Sequence, residues 1–265
     1  MKTFDCITFF NENFITNLRF EILKDVVDYF VVCESIYDHK GQKKKLNFKL
    51  LNEKYRSKII YLVLEEKFKS HNLWKNQAKQ REFIVNGLKL AKENDYILFS
   101  DPDEIPRPSE LVNLNLDSKY GIFLQDCFCY KLNIYNQYES PWEGTRICKM
   151  KDLTSIDYMR QKILTKNLKY SFFRIDKEKN IKVIKNGGWH FNNLMMPEDI
   201  SLKLKTFAHS EFSAEEYSSI EVIKNKIDKK IDLFNRGHIY QVVNLNENFP
   251  DYILNNLDDL KDYVV

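Results

Sequence analysis

The run Tyr96-Ile97-Leu98-Phe99-Ser100 is an apolar, β-prone stretch that halts at Asp101-Pro102-Asp103. Pro102 has no N–H to give a ladder, so the chain must leave the sheet there. Two carboxylates are thereby placed at the carboxyl edge of a buried strand, where open α/β sheets bind their ligands. Hard oxygen ligands at such an edge suit Mg²⁺ or Mn²⁺, and the ion in turn suits a diphosphate. Asp-Pro-Asp is also an ordinary turn, so the rest of the chain must decide between a site and a corner.

The segments before this corner alternate strand and helix signals. Apolar runs at 4–10, 28–34, 58–64 and 95–101 read as strands, and helical spacing marks 14–24 and 74–93. Near-continuous apolar runs between helices indicate a parallel sheet covered on both faces. From 120 to 138 the β patterning continues with no helix between segments, and 170–175 and 181–184 are further strand candidates. Helices are expected again at 197–207 and 214–235, where Ile220, Ile223, Ile227, Ile231 and Phe234 share a face. The acidic tail from Pro250 is expected to carry a small helix. No repeat or low-complexity linker divides the chain.

Composition excludes more than it assigns. A formal charge of +3 leaves no footprint for nucleic acid. Aromatic residues at 14% suit a carbohydrate-handling protein without proving one. No apolar stretch is long enough to span a bilayer, and the N-terminus lacks the regions of a signal peptide, so the expectation is a cytoplasmic protein with no transmembrane segment. The five cysteines are expected to be reduced and buried. Cys127-Phe128-Cys129 puts two sulfurs on one strand face, but the sequence offers no partners for zinc there.

The helical segment 74–93 contains an anomaly. Trp74, Ala78, Val85, Leu88 and Ala91 form one stripe, and Arg81 falls in its middle with Gln77 at its edge. A core-facing guanidinium needs a charged or polar partner. That partner is either a structural carboxylate or a ligand phosphate.

Eight short runs then stand in one order along the chain. They are Asp5-Cys6-Ile7-Thr8-Phe9-Phe10-Asn11-Glu12; Val27-Asp28-Tyr29-Phe30-Val31-Val32-Cys33-Glu34-Ser35; Trp74-Lys75-Asn76-Gln77 with Gln80-Arg81; and Ser100 through Pro108. Next come Pro141-Trp142-Glu143-Gly144-Thr145-Arg146; Gly187-Gly188-Trp189-His190-Phe191; Pro197-Glu198-Asp199-Ile200; and Phe207-Ala208-His209-Ser210-Glu211-Phe212. Together they resemble glycosyltransferase family 17, the family of the β-1,4-mannosyl-glycoprotein N-acetylglucosaminyltransferases. Gln77 and Glu82 depart from the family pattern, where Glu and Asn are expected.

The resemblance implies an α/β, GT-A-like single domain over 1–265. It would have a mostly parallel central sheet flanked by helices and a smaller antiparallel acceptor-side sheet. Residues 1–108 would form the nucleotide-binding half, 109–240 the acceptor and catalytic half, and 241–265 a C-terminal tail. It implies metal-dependent, inverting transfer of a sugar onto a glycan acceptor, with UDP-N-acetylglucosamine as donor and Mn²⁺ or Mg²⁺ as cofactor. Two alternatives stay open: a non-catalytic nucleotide-sugar or glycan binder, and a metal-dependent phosphoester hydrolase.

Under the resemblance Asp101 and Asp103 become the metal and nucleotide pair, and His190 a third metal ligand. Gly187-Gly188 would let the backbone approach the metal loop closely, and Trp189 would offer an apolar face to a sugar ring. An inverting transfer needs a base for the acceptor hydroxyl. Glu198 is the first candidate, with Glu211 and Asp199 behind it, although acidic residues in a first helical turn are also favoured by the dipole alone. Asn11, Glu12 and Glu34, just past two strand ends, are placed at the nucleotide; Asn11-Glu12 also suits a helix cap. Arg81 is assigned to the diphosphate, and Trp142 and Arg146, in an expected loop, to donor or acceptor sugar.

Overall fold

The computed structural model describes residues 1–112, 114–206 and 212–265. Four strands, β1 (Thr3–Phe9), β2 (Tyr29–Ser35), β3 (Ile59–Leu64) and β4 (Tyr96–Ser100), lie parallel in the order β3-β2-β1-β4. Their side chains alternate between two cores. Ile7, Phe9, Phe30 and Val32 pack beneath helix α1 (Asn13–Leu23), while Phe4, Cys6, Val31 and Cys33 face Ile84 and Leu88 on the other side. Burial on both faces makes β2 and β4 near-continuous apolar runs, whereas β1 is interrupted by the buried Asp5 and β3 keeps Tyr61 exposed.

Beyond β4 the sheet becomes antiparallel without breaking. Strand β8 (Trp142–Lys149) pairs with β4 and with β6 (Tyr120–Cys129). On its other edge β6 carries the parallel β9 (Ile181–Asn192), which pairs in turn with the short β5 (Glu104–Pro106). Strands β7 (Ile134–Tyr135) and β10 (Gln241–Val242) complete a ten-stranded mixed sheet among the described residues. The expected separate acceptor-side sheet is therefore the continuation of the central one. The expected loop holding Trp142 and Arg146 is β8, because its polar inward residues find partners: Thr145 Oγ1 meets Ser100 Oγ at 2.7 Å, and Arg146 Nε donates to Ile163 O at 3.0 Å.

The helices also depart from their expected bounds. Helix α2 spans Leu73–Phe83 and passes into a 3₁₀ turn at Ile84–Gly87, so the stripe drawn to residue 93 is not one helix face. Trp74 and Val85 are exposed, while Asn76, Gln80 and Arg81 are buried. A side chain at Gly87 would stand 2.5 Å from Val31 Cγ1, which lets the turn lie flat on the sheet. Between them lie α3 (Pro108–Val112) and α4 (Ile156–Lys162), followed by α5 (Pro197–Thr206). The expected helix 214–235 is α6 (Glu215–Ser218) and α7 (Ile220–Lys229), divided by the Ser219 cap and stopped where Lys230 turns left-handed at φ 56°. Residues 170–175 form turns rather than a strand.

Helix α8 (Asp251–Asn255) lies in the tail, which closes over the α1 face through Phe249, Ile253 and Leu260. All five cysteines are free and buried. No helix among the described residues is long and apolar enough to cross a membrane.

Candidate functional site

Where β4 ends, the chain folds back on itself. Glu104 N donates to Asp101 O at 3.0 Å, and Asp101 N donates to the Glu104 carboxylate at 3.1 Å, closing the turn around Pro102. The corner is pinned from below by a buried pair: Arg19 of α1 donates to both oxygens of Asp5 at 2.6 Å and to Glu104 O at 2.5 Å. From the side it is pinned by β9, whose Phe191 N donates to Asp103 O at 2.9 Å. Gly188 permits that approach, since a Cβ there would lie 2.1 Å from Ile105 O. His190 is thereby set opposite Glu104 in register.

A cavity of about 520 Å³ opens at this corner, at the carboxyl ends of the parallel strands. Asp101, Asp103, His190 and Trp142 line one side, and Phe10, Glu12, His39 and Gln80 line the other. Gln77 also faces it, and its Oε1 is buried with no hydrogen-bond partner among the described residues. A buried unsatisfied carbonyl costs free energy that a ligand donor would recover.

The two aspartates are shifted in opposite directions. Burial raises the Asp101 carboxyl, but the Arg160 guanidinium at 2.6 Å and Arg81 at 3.8 Å outweigh it and hold the group at about 2. Asp103 is pushed up by burial, because its counter-charges are more distant: His190 Nε2 at 3.7 Å and Lys203 Nζ at 3.9 Å. The His190 ring is oriented by Trp142, whose centroid lies 4.8 Å away, and by the Cys127 thiol 3.7 Å from Nδ1. That leaves Nε2 toward Asp103.

A divalent cation fits this donor set with help. No three His, Cys, Asp or Glu side chains among the described residues come together to hold an ion alone. Asp103 and His190 supply an oxygen and an imidazole nitrogen, and among the described residues the cations nearest Asp103 stand at 3.7 and 3.9 Å. Ions bound to nucleotides commonly take one or two protein ligands and complete their shell with phosphate oxygens.

Other predicted residues scatter. Glu12 lines the cavity, its Oε2 accepting from the Phe10 and Asn11 amides at 2.9 Å. Asn11 instead donates to Asp199 Oδ1 at 3.1 Å, tying α5 to the end of β1 outside the main cavity. Glu34 is wholly buried and occupied by Lys44, the Asn47 and Phe48 amides and the Tyr61 hydroxyl, so it fastens a loop rather than facing a nucleotide. Arg81 takes the structural partner Asp157 at 3.1 Å as well as Asp101.

Three further assignments also do not reach the cavity. Arg146 is spent on the carbonyls of Glu143, Gly144 and Ile163. Strand alternation turns Trp189 to the face opposite His190, where its Nε1 donates to Asn248 O at 3.0 Å under the Arg107 guanidinium. Glu198 is exposed and pairs with Lys224 of α7 at 3.2 Å. It sits about 140° around α5 from the cavity-lining Lys203. Glu211 lies outside the described residues.

Sequence reasoning missed Arg160, which bridges Asp101 and Glu104, and Glu139, which lines the cavity held by Arg236 at 2.6 Å and by Asn136 Nδ2 at 3.0 Å. Arg160 had the same signal as Arg81, a cation on a helix whose Ile156 and Met159 are buried. Nothing local distinguishes Glu139.

Comparison with known proteins agrees with the motifs. The model of glycosyltransferase family 17 matches residues 1–241. The chain is similar to the β-1,4-mannosyl-glycoprotein 4-β-N-acetylglucosaminyltransferase of Rattus norvegicus, at 30% identity over 126 residues covering 43% of this chain and 23% of that one. To the Homo sapiens protein of the same name it is 32% identical over 113 residues, 38% of this chain and 21% of that one. The match thus spans under a quarter of either relative. Among solved structures, the 2-C-methyl-D-erythritol 4-phosphate cytidylyltransferase of Francisella tularensis overlaps 70% of this chain and 90% of its own, with TM-score 0.35 and 11% identity, too slight a likeness to inform function.

Proposed function

The chain belongs to glycosyltransferase family 17, and from that premise we propose that it is a divalent-metal-dependent, inverting transferase of GT-A arrangement. It moves N-acetylglucosamine from UDP-N-acetylglucosamine onto a mannose-containing glycan. The observation carrying this reading is the cavity at the carboxyl ends of the parallel strands, where Asp103 and His190 stand together beside the unsatisfied Gln77 Oε1. In open α/β sheets that edge is where nucleotides rest.

Asp103 and His190 would hold the ion, joined by phosphate oxygens of the donor. When bound, the ion supplies Lewis-acid neutralisation of the charge on the departing diphosphate. The chain's own residues do the rest. Arg160 keeps Asp101 ionised and fixed at the corner. Phe10, Glu12 and Gln80 border the end assigned to the nucleoside. Glu139, on the side of Trp142 and Arg236, is the base in place of Glu198, because it lines the cavity and Glu198 does not. It takes the proton of the acceptor hydroxyl as that oxygen bonds the anomeric carbon and the diphosphate leaves with the electrons of the broken bond.

The test is a thermal-shift panel of UDP-, GDP-, CMP- and dTDP-sugars, each with Mn²⁺ and with EDTA. A ligand at about a hundredfold its Kd stabilises a fold by about 2.7 kcal/mol, a readable rise. A Mn²⁺-dependent rise with UDP-N-acetylglucosamine supports donor and metal together. A rise with another nucleotide overturns the donor, and no rise with any overturns the reading.

A further inference from the structure

Phe172, Phe173 and Ile175 are 86%, 86% and 93% exposed, three large apolar side chains within four positions of one turn. Scattered exposed hydrophobics are normal, but a contiguous cluster marks a contact surface. Leu168 and Tyr170, a few residues before it, are exposed as well, at 45% and 38%.

The turn is built, not frayed. The Lys179 ammonium donates to Ser171 O at 2.8 Å, Arg174 O at 3.0 Å and Phe172 O at 3.4 Å, gathering three carbonyls inward. Arg174 N donates to Ser171 O, and the Arg174 guanidinium is fixed between Asp176 at 2.7 Å and the Tyr170 ring. A backbone closed around one lysine leaves its apolar side chains no direction but outward.

The collar around this tip is basic. Residues 162–182 hold seven Lys and Arg against Asp176 and Glu178, and Lys162, Lys166 and Lys169 are exposed. An apolar tip ringed by cations matches an anionic phospholipid surface: the rings enter the acyl boundary while the cations stay at the headgroups. A second protein would need an acidic collar around a hydrophobic pocket; another copy of this face would set like charges against each other.

We propose that the 165–180 segment is a membrane-surface anchor, seating Phe172, Phe173 and Ile175 in an anionic leaflet with its lysines on the headgroups. This is peripheral attachment, independent of the reaction in the cavity.

The test is co-sedimentation of the intact chain with phosphatidylglycerol–phosphatidylcholine vesicles and with pure phosphatidylcholine vesicles. Roughly tenfold stronger partitioning onto the anionic vesicles is expected, weakened by salt. Two variants separate the parts: Phe172→Ser/Phe173→Ser/Ile175→Ser, and Lys166→Glu/Lys169→Glu. Each should lower partitioning roughly tenfold with the melting temperature unchanged, since none of these side chains is buried. Failure of the wild type to bind anionic vesicles, or binding by either variant that is undiminished from the wild type, overturns the proposal. So does a concentration-dependent dimer that the triple variant abolishes, which would assign the patch to self-association.

Discussion

Arg160 Nη2 lies 2.6 Å from Asp101 Oδ2 and 2.7 Å from Glu104 Oε1, so one guanidinium from α4 clamps both sides of the corner at Pro102. Glu104 is buried and receives the Trp142 indole N–H at 2.7 Å as well. The clamp therefore sets Asp101, Glu104 and Trp142 relative to one another before any ligand arrives.

Removing it should be costly. Arg160→Ala leaves the buried Glu104 without its cation and Asp101 with only Arg81 at 3.8 Å, a loss of about 3–5 kcal/mol for a buried pair broken on one side. Urea unfolding at neutral pH measures it. The Asp101 part has a defined pH window: its folded-state pKa is depressed to about 2 by Arg160 and Arg81 against burial. A depressed carboxyl contributes stability that is complete above its unfolded pKa of about 3.9 and is lost as pH falls through the folded value. The difference between wild type and Arg160→Ala should thus shrink between about pH 4 and pH 2.

Asp103 carries the opposite sign. Burial raises its pKa above the unfolded value, so its shift favours the fold at low pH and that contribution is lost as pH rises through the folded pKa. Asp103→Asn removes an under-compensated charge and should raise the melting temperature of the metal-free protein, by about 2–4 °C for each kcal/mol gained. The same variant should lose the Mn²⁺-dependent rise with UDP-N-acetylglucosamine. A variant that melts higher yet no longer responds to metal separates a binding role from a packing one; an unchanged metal response overturns Asp103 as ligand.

The first half of the fold was legible because burial on both faces writes strands such as β2 and β4 as near-continuous apolar runs, and all four parallel strands lie within a residue or so of expectation. Strand β8 was not, because Thr145 and Arg146 are inward-facing polar residues whose partners, Ser100 and Ile163, are remote in sequence. Asp101 and Asp103 were legible from strand-end chemistry and His190 only through the family resemblance, and the structure brings the three to one cavity. Trp189 went astray although adjacent to His190, since in a strand adjacency means opposite faces. Glu198 went astray because an acidic first turn looks the same whichever way the helix is rolled.

Glu139 and Glu198 can be set against each other directly. Glu139→Gln keeps the shape of a side chain held by Arg236 and Asn136 but removes its capacity to take a proton. It should lower kcat about 10²–10⁴-fold while the donor-dependent thermal shift persists. Glu198→Gln, on the exposed face of α5, should leave kcat within about twofold, as surface ion pairs contribute little. Steady-state transfer assays on both decide it, and the reverse pattern would return the base to Glu198.

Gly188 tests whether the approach of β9 to β5 builds the site. Its φ of +136° disfavours any side chain, and a Cβ would lie 2.1 Å from Ile105 O and 2.8 Å from Arg107 N, both backbone atoms that cannot swing aside. Gly237 is a matched control: its φ is +81°, but nothing stands within 4 Å of a Cβ there. Gly237→Ala should cost only the backbone strain, about 1–3 kcal/mol. Gly188→Ala should cost more, because β5 must move off β9, and with it the register that faces His190 with Glu104. Urea unfolding gives the two costs, and the Mn²⁺-dependent donor shift gives the functional difference. Loss of that shift in Gly188→Ala but not in Gly237→Ala places the cause in the close strand approach; loss in both, or in neither, removes Gly188 from the construction of the metal corner.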